Sequence, residues 1–186
     1  MRVFAALPLP PAAIGSLTEA LQPLRRRYPR LRWVPPGGLH VTLHFFGELP
    51  ETGVSSLKQV FGDPGLHRSA IPSRFGAFGQ FPPGGVPRVL WVGFTLGQPE
   101  MAEYWERFES RIASLGWTRD PRGFTPHVTV ARNGGRDTVA PGWQEETGVQ
   151  SPDFLVGECV LYNSILERTG ARYIPLTRVE FEGRTP

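Results

Sequence analysis

The chain has 186 residues, 40% hydrophobic and 20% charged, with a formal net charge of +3, a profile that excludes a disordered chain and an all-apolar membrane protein. That length supports one domain over residues 1–186, or two small lobes sharing a core, without a metal or disulfide staple. A single cysteine, Cys159, excludes an internal disulfide, and no run approaches the roughly 18 apolar residues of a membrane span, so a cytoplasmic protein is expected.

Twenty prolines and 22 glycines cut the chain into short segments, most of them carrying the β-branched and aromatic residues of strands. Arg2 to Leu7 reads as a strand, because Pro8, Pro10 and Pro11 stop the apolar run before it resembles the core of a signal peptide. Pro11 to Tyr28 reads as a helix, with Ile14, Leu17, Leu21 and Leu24 at helical spacing and Pro11 in the first turn. Leu31 to Val34 and Leu39 to Phe46 read as strands, and Val54 to Phe61 as a short helix. Strands follow at Ser73 to Phe78 and Arg88 to Thr95, then an amphipathic helix from Met101 to Leu115, ended by Gly116. His127 to Ala131 is a strand, Arg136 to Thr147 a loop, and Phe154 to Tyr162 and Tyr173 to Phe181 are strands. The class is α+β.

Nineteen of the 20 basic residues are Arg. Arginine suits bidentate phosphate contacts, although GC-rich coding produces the same bias. The one dense cluster, Arg25-Arg26-Arg27-Tyr28-Pro29-Arg30-Leu31-Arg32, reads either as a contact for an RNA backbone or as a solvated helix end.

Two tetrapeptides stand out. His40-Val41-Thr42-Leu43 and His127-Val128-Thr129-Val130 lie 87 residues apart (127 − 40). With four His and 12 Thr in the chain, roughly 0.26 His-x-Thr would occur by chance, and here two occur with Val in the middle of each. In a strand, residues two apart share a face. His and Thr therefore project one way while Val41, Leu43, Val128 and Val130 anchor the other side in a core. Two such strands brought together present two imidazoles and two hydroxyls to one cleft. That set performs acid–base chemistry on a phosphodiester: a neutral imidazole takes a proton from the nucleophile and a protonated one gives a proton to the leaving oxygen. The hydroxyls of Thr42 and Thr129 stabilise charge on the nonbridging oxygens. No metal and no cofactor is required.

His44 shares the parity of His40 and Thr42, which puts it on the cleft rim as a substrate contact or leaves it a half-exposed surface residue. His40 and His44 at i, i+4 also match the spacing of a helical metal pair, but the Glu of that motif is missing and the residues between them favour a strand. His67-Arg68-Ser69 follows Asp63-Pro64-Gly65 and is read as a turn outside the site. Arg132, just after the second motif, is a candidate phosphate contact, although strict alternation turns it away from His127 unless the strand twists or bulges. Phe46, Trp33 and Tyr162 are candidates for stacking on a base, with core packing the competing role.

These motifs, together with Arg2-Val3-Phe4-Ala5-Ala6-Leu7-Pro8-Leu9-Pro10, Leu39 to Glu48, Arg88-Val89-Leu90-Trp91-Val92-Gly93, Thr125 to Arg132, Leu161-Tyr162-Asn163-Ser164 and Ala171 to Leu176, resemble the two-histidine phosphoesterase superfamily. Within it the chain is most similar to the bacterial LigT-like RNA 2′,3′-cyclic phosphodiesterases, also called 2′–5′ RNA ligases. The resemblance implies two pseudo-symmetric lobes, each an antiparallel sheet with outer helices, enclosing a cleft. It implies hydrolysis of a terminal 2′,3′-cyclic phosphate of RNA to a 2′-phosphate, with reverse 2′–5′ joining in some members. It implies His40 as proton donor and His127 as proton acceptor, acting on RNA or nucleotide ends. A monomer with no membrane partner is expected. The residues alone do not separate the two histidine roles. The Gly- and Pro-rich stretch Phe81 to Pro87 departs from the family pattern. Two alternatives stay open at the level of sequence: a non-catalytic RNA- or nucleotide-binding protein using the same cleft, and a phosphodiesterase for another cyclic phosphate or a 2′–5′ oligonucleotide.

Overall fold

The computed structural model describes residues 1–119, 121, 123–134, 143, 146, 148–167 and 170–183. Of the loop expected over Arg136–Thr147, only Trp143 and Glu146 are among them. The elements run β1 (Arg2–Pro8), α1 (Pro11–Ala20), α2 (Gln22–Arg27), β2 (Arg32–Trp33), β3 (His40–Glu48), α3 (Glu51–Val60), β4 (Ile71–Phe81), β5 (Val89–Leu96), α4 (Gln98–Ala113), β6 (Val128–Arg132), β7 (Phe154–Val156), β8 (Glu158–Glu167) and β9 (Gly170–Glu180). Among the described residues no helix is long and apolar enough to cross a membrane.

The strands form one sheet in the order β7-β4-β5-β6-β3-β1-β8-β9, with β2 paired to β6. It is two four-stranded halves, β6-β5-β4-β7 and β3-β1-β8-β9, joined along β3 and β6 by the single antiparallel pair Val41 opposite Val128. A strand–helix–strand unit recurs: β1 leads through α1 and α2 to β3, and β5 leads through α4 to β6. This is the α+β class expected, with a seam where the two halves meet. One continuous apolar cluster runs behind both halves, from Leu7, Leu17 and Val41 to Leu90, Val128 and Phe154.

Three elements differ from expectation for identifiable reasons. The helix expected over Pro11–Tyr28 breaks at Leu21 into α1 and α2, because Pro23 has no N–H to give back to the preceding turn and its ring crowds that turn's carbonyl. Leu17, Leu21 and Leu24 remain buried across the break. The strand expected over Phe154–Tyr162 is cut at Gly157. Its first part, β7, pairs with β4 in one half, and its second, β8, pairs with β1 and β9 in the other. A run of strand character broken only by one glycine therefore crosses between lobes, something hydropathy cannot register. The strand expected over Leu31–Val34 shortens to Arg32–Trp33.

The amphipathic helix is α4, which buries Met101, Tyr104, Trp105, Phe108 and Ile112 along one stripe as helical periodicity requires. Glu109 sits in the same stripe and is buried too.

Candidate functional site

The seam positions both His-x-Thr motifs. In an antiparallel ladder, directly opposite residues share a face, so from the Val41–Val128 pair the register sets His40 across from Thr129 and Thr42 across from His127. Val41 and Val128 are fully buried, while the two His and two Thr are half-buried. All four polar side chains thus stand on the face opposite the core, related by a pseudo-twofold through the valine pair.

Each imidazole is held in the same manner. His127 Nδ1 lies 2.6 Å from the carbonyl oxygen of Thr125, and His40 bonds the backbone of Gly38, also two residues upstream. With Nδ1–H donating to a carbonyl, the basic Nε2 is the free nitrogen. His40 Nε2 is 3.1 Å from Thr42 Oγ1, whose hydroxyl donates to it in that tautomer. Burial lowers the His40 pKa to about 4, against the backbone bond to Gly38 and with further lowering by the charges of His127 and Arg132. Burial also lowers His127, with Arg132 adding to the effect.

These shifts have a consequence for stability. An unfolded His titrates near 6.5, so between that pH and about 4 the unfolded chain binds protons that folded His40 refuses. The contribution of His40 to folding stability is complete above about pH 6.5 and is lost as the pH falls through this window, a change of the order of 3 kcal/mol. Urea unfolding of His40→Gln should show a flatter acid limb than the unmutated protein; identical limbs would contradict the assignment.

Both motif strands then do something strict alternation does not allow. Across β1, Ala6 pairs with Thr42 but Ala5 pairs with His44, so Leu43 is an extra residue. Across β5, Trp91 pairs with Thr129 but Leu90 pairs with Ala131, so Val130 is an extra residue. The two bulges fall at equivalent places, 87 residues apart like the motifs (130 − 43). A bulge flips the parity that follows it. The residue two after each Thr therefore turns to the core side, and the residue three after it returns to the cleft.

Arg132 is one of those returning residues. The bulge at Val130 carries it to the histidine face, where its charge acts on His40, His127 and Tyr173. Phe45 is its counterpart after the first motif. It is 60% exposed, with Phe4 beneath it at 5.7 Å between ring centroids.

His44 is the correction. Expected on the cleft rim, it is turned by the Leu43 bulge to the opposite side of the sheet, where Nδ1 meets Glu109 Oε1 of α4 at 2.7 Å. It does not line the cleft, and the same reversal separates it from His40 as a metal pair. Among the described residues no group of three or more His, Cys, Asp or Glu is placed to hold a metal ion.

Aromatic rings wall both histidines. Phe4 and Tyr173 lie 5.0 and 5.4 Å from His40, and Phe81 and Trp91 lie 5.1 and 5.7 Å from His127. Of the expected base-stacking candidates, Phe46 is buried in the core and Trp33 packs towards Trp143 under Arg25. Tyr162 stacks on Phe4, half-buried. Gly79 lies across from Trp91, and a Cβ there would overlap the indole ring. Gly79→Ala should push Trp91 off its place beside His127 and destabilise the fold by about 1–3 kcal/mol, read as a drop in Tm.

The family model described as the 2′–5′ RNA ligase superfamily matches residues 10–165. The chain belongs to that superfamily. Among the relatives of this superfamily member, the RNA 2′,3′-cyclic phosphodiesterase of Aeropyrum pernix is 29% identical over 90% of this chain and 96% of its own. The protein of the same name from Thermotoga maritima is 26% identical over 98% of this chain and 97% of its own. A crystal structure from Thermus thermophilus superimposes with a TM-score of 0.80 at 26% identity, covering 100% of both chains. The LigT structure from E. coli complexed with 3′-AMP gives 0.76 at 25% identity, covering 97% of this chain and 98% of that one.

Proposed function

We infer that this chain hydrolyses the 2′,3′-cyclic phosphate end of RNA to a 2′-phosphate, with His40 and His127 as an acid–base pair and no metal in the chemical step. The observation that carries the reading is the single Val41–Val128 pair, which gives four reactive side chains one face. Relatives similar over nearly the whole chain bear the name of this activity.

In this mechanism the cyclic phosphate sits between the two Nε2 atoms. His127 takes a proton from water as it attacks phosphorus, and His40 gives a proton to the departing 3′-oxygen. Burial favours the neutral form of both imidazoles, so His40 must take up its proton from solvent as the anionic substrate binds. A phosphate anion between the imidazoles offsets the repulsion from Arg132 and favours the charged form of His40. Thr42, Thr129 and Arg132 hold the nonbridging oxygens as charge builds on them. With a 5′-hydroxyl attacking in place of water, the same pair would join the cyclic-phosphate end to a second strand through a 2′–5′ linkage, the 3′-oxygen again leaving with a proton from His40.

The deciding experiment incubates the protein with an oligoribonucleotide ending in a 2′,3′-cyclic phosphate, with EDTA present, and reads the product regiochemistry by NMR. A 2′-phosphate is expected. A 3′-phosphate would reverse the assigned leaving group, and absence of turnover would leave a nucleotide-binding cleft instead.

Phe45 offers the exposed ring nearest this centre. Stacking a base on an aromatic side chain contributes about 1–3 kcal/mol, so Phe45→Ala should raise KM by roughly tenfold with little change in kcat. An unchanged KM would mean that the base rests elsewhere.

A further inference from the structure

We propose that Arg32, standing beside Arg132, forms a second anion subsite that grips the internal phosphodiester next to the reacting end, with Arg132 reaching between the two phosphates, so that the cleft reads an RNA strand rather than a lone nucleotide. The proposal rests on the functional reading above for the position of the reacting phosphate.

Arg32 is the last member of the dense basic cluster, and the structure divides that cluster by role. Arg25 donates to the Val34 carbonyl and covers Trp33. Arg27 is paired with Glu146 and lies over Tyr28. Arg30 also has interactions of its own, and Arg26 is exposed on α2. Only Arg32 enters the sheet, where it stands directly opposite Arg132 in the β2–β6 ladder.

Directly opposite residues point to the same face, with Cβ atoms about 5 Å apart. The neighbouring pair fixes the sidedness. Trp33 opposite Ala131 faces the core, where Ala131 is fully buried and Trp33 packs towards Trp143. Arg32 and Arg132 must then share the cleft face. Both are exposed, and among the described residues neither has a carboxylate partner, although Arg27, Arg74, Arg107, Arg111, Arg119 and Arg178 each do.

Two like charges placed opposite one another on paired strands repel. Two arginines set opposite one another on paired strands, with no carboxylate partner among the described residues, are relieved by an anion, and a phosphodiester fits the forks of two arginines. The order along the cleft fits a strand leaving the catalytic centre. Arg132 acts electrostatically on both histidines, and Arg32 stands opposite it at the end of β6 farthest from His127. Arg32 Nε lies 4.0 Å from the position of a Cβ on Gly134, past the end of β6. The sequence is therefore histidines, Arg132, Arg32, running outward from the reacting phosphate. A cyclic mononucleotide ends before reaching Arg32, and a chain with one more phosphate reaches it.

The test compares 2′,3′-cyclic AMP with the dinucleotide ApA ending in a 2′,3′-cyclic phosphate, which adds one internal phosphodiester. Arg32→Ala should lower kcat/KM for the dinucleotide about tenfold more than for the mononucleotide, and should reduce the slope of log(kcat/KM) against log[salt] for the dinucleotide by about 0.7. Arg32→Lys should recover part of the loss, since charge remains but the fork is gone. Tm should not fall, because the replaced side chain is exposed. Equal losses on both substrates, or no loss on either, would overturn the subsite. If the unmutated protein turns over neither substrate, the hydrolytic reading fails on its own. The subsite is then judged by fluorescence anisotropy of a labelled trinucleotide bearing a terminal 2′-phosphate, where Arg32→Ala must weaken binding about tenfold for the proposal to stand.

Discussion

Replacing His127 or His40 with Ala should lower kcat on 2′,3′-cyclic AMP by about a thousandfold or more, with KM changed far less, while the fold persists. The magnitude follows from what each imidazole does. Proton transfer by a positioned group contributes about 10²–10⁴ in rate, and here the two groups act on opposite sides of one phosphorus. Removing both should cost little more than removing one, because a proton relay that has lost one end no longer uses the other. The side chains are half-buried on the cleft face of strands whose other face is anchored by Val41, Leu43, Val128 and Val130, so truncation leaves the core untouched and near-UV circular dichroism should be unchanged. The roles separate with a substrate in which sulfur replaces the bridging 3′-oxygen. A thiolate leaves without a proton at neutral pH, so His40→Ala should regain much of its rate on this analogue and His127→Ala should not. Rescue of His127→Ala instead would exchange donor and acceptor, and full activity in either single variant would remove the pair from the mechanism.

Much of this was legible in the residues. Strand parity is a local property, and it placed each His with its Thr and opposite its valine before any tertiary contact was known. The α+β class followed from turn residues and short β-rich runs. What was not legible has a common cause. The bulges at Leu43 and Val130 arise from pairing with β1 and β5, and no residue in either motif announces an extra position: Val130-Ala131 reads as ordinary strand. Missing them sent His44 to the wrong face and left Arg132 undecided, one error of parity with two consequences. The crossing at Gly157 is of the same kind, since a glycine between two strand-like runs does not say which neighbour each run will choose. The basic cluster shows the reverse case. Its composition left an RNA-backbone contact and a solvated helix end equally open, and the pairing of Arg32 with Arg132 distinguishes one arginine from the rest.

The parity reversal also explains the second large effect, which is on stability. His44→Ala should destabilise the fold by about 3–5 kcal/mol, a fifth or more of the roughly 5–15 kcal/mol that holds a typical domain together. The side chains of His44 and Glu109 are only 9% and 1% exposed, with 2.7 Å between Nδ1 and Oε1. Glu109 Oε2 has no hydrogen-bond partner among the described residues. Removing the imidazole strips the carboxyl group of its hydrogen bond to His44 while leaving it inside α4's buried stripe, and the desolvation penalty is then less compensated. One turn away, Trp105 Nε1 donates to the carbonyl of Leu43 at 3.2 Å. Helix α4 therefore grips the first bulge at two consecutive residues, and the bulge in turn presents Phe45 to the cleft. Loss of His44 should loosen that grip, raising KM in the fraction that stays folded. The double variant His44→Leu with Glu109→Leu separates packing from charge. Replacing both members of a buried pair with apolar side chains of similar size removes the orphaned carboxyl, so urea unfolding should find it more stable than His44→Ala alone, with a coupling energy of about 1–3 kcal/mol across the cycle. If the double variant is instead the sum of its parts, the two side chains do not act as a pair, and the bulge is held by Trp105 and the β1 register without them.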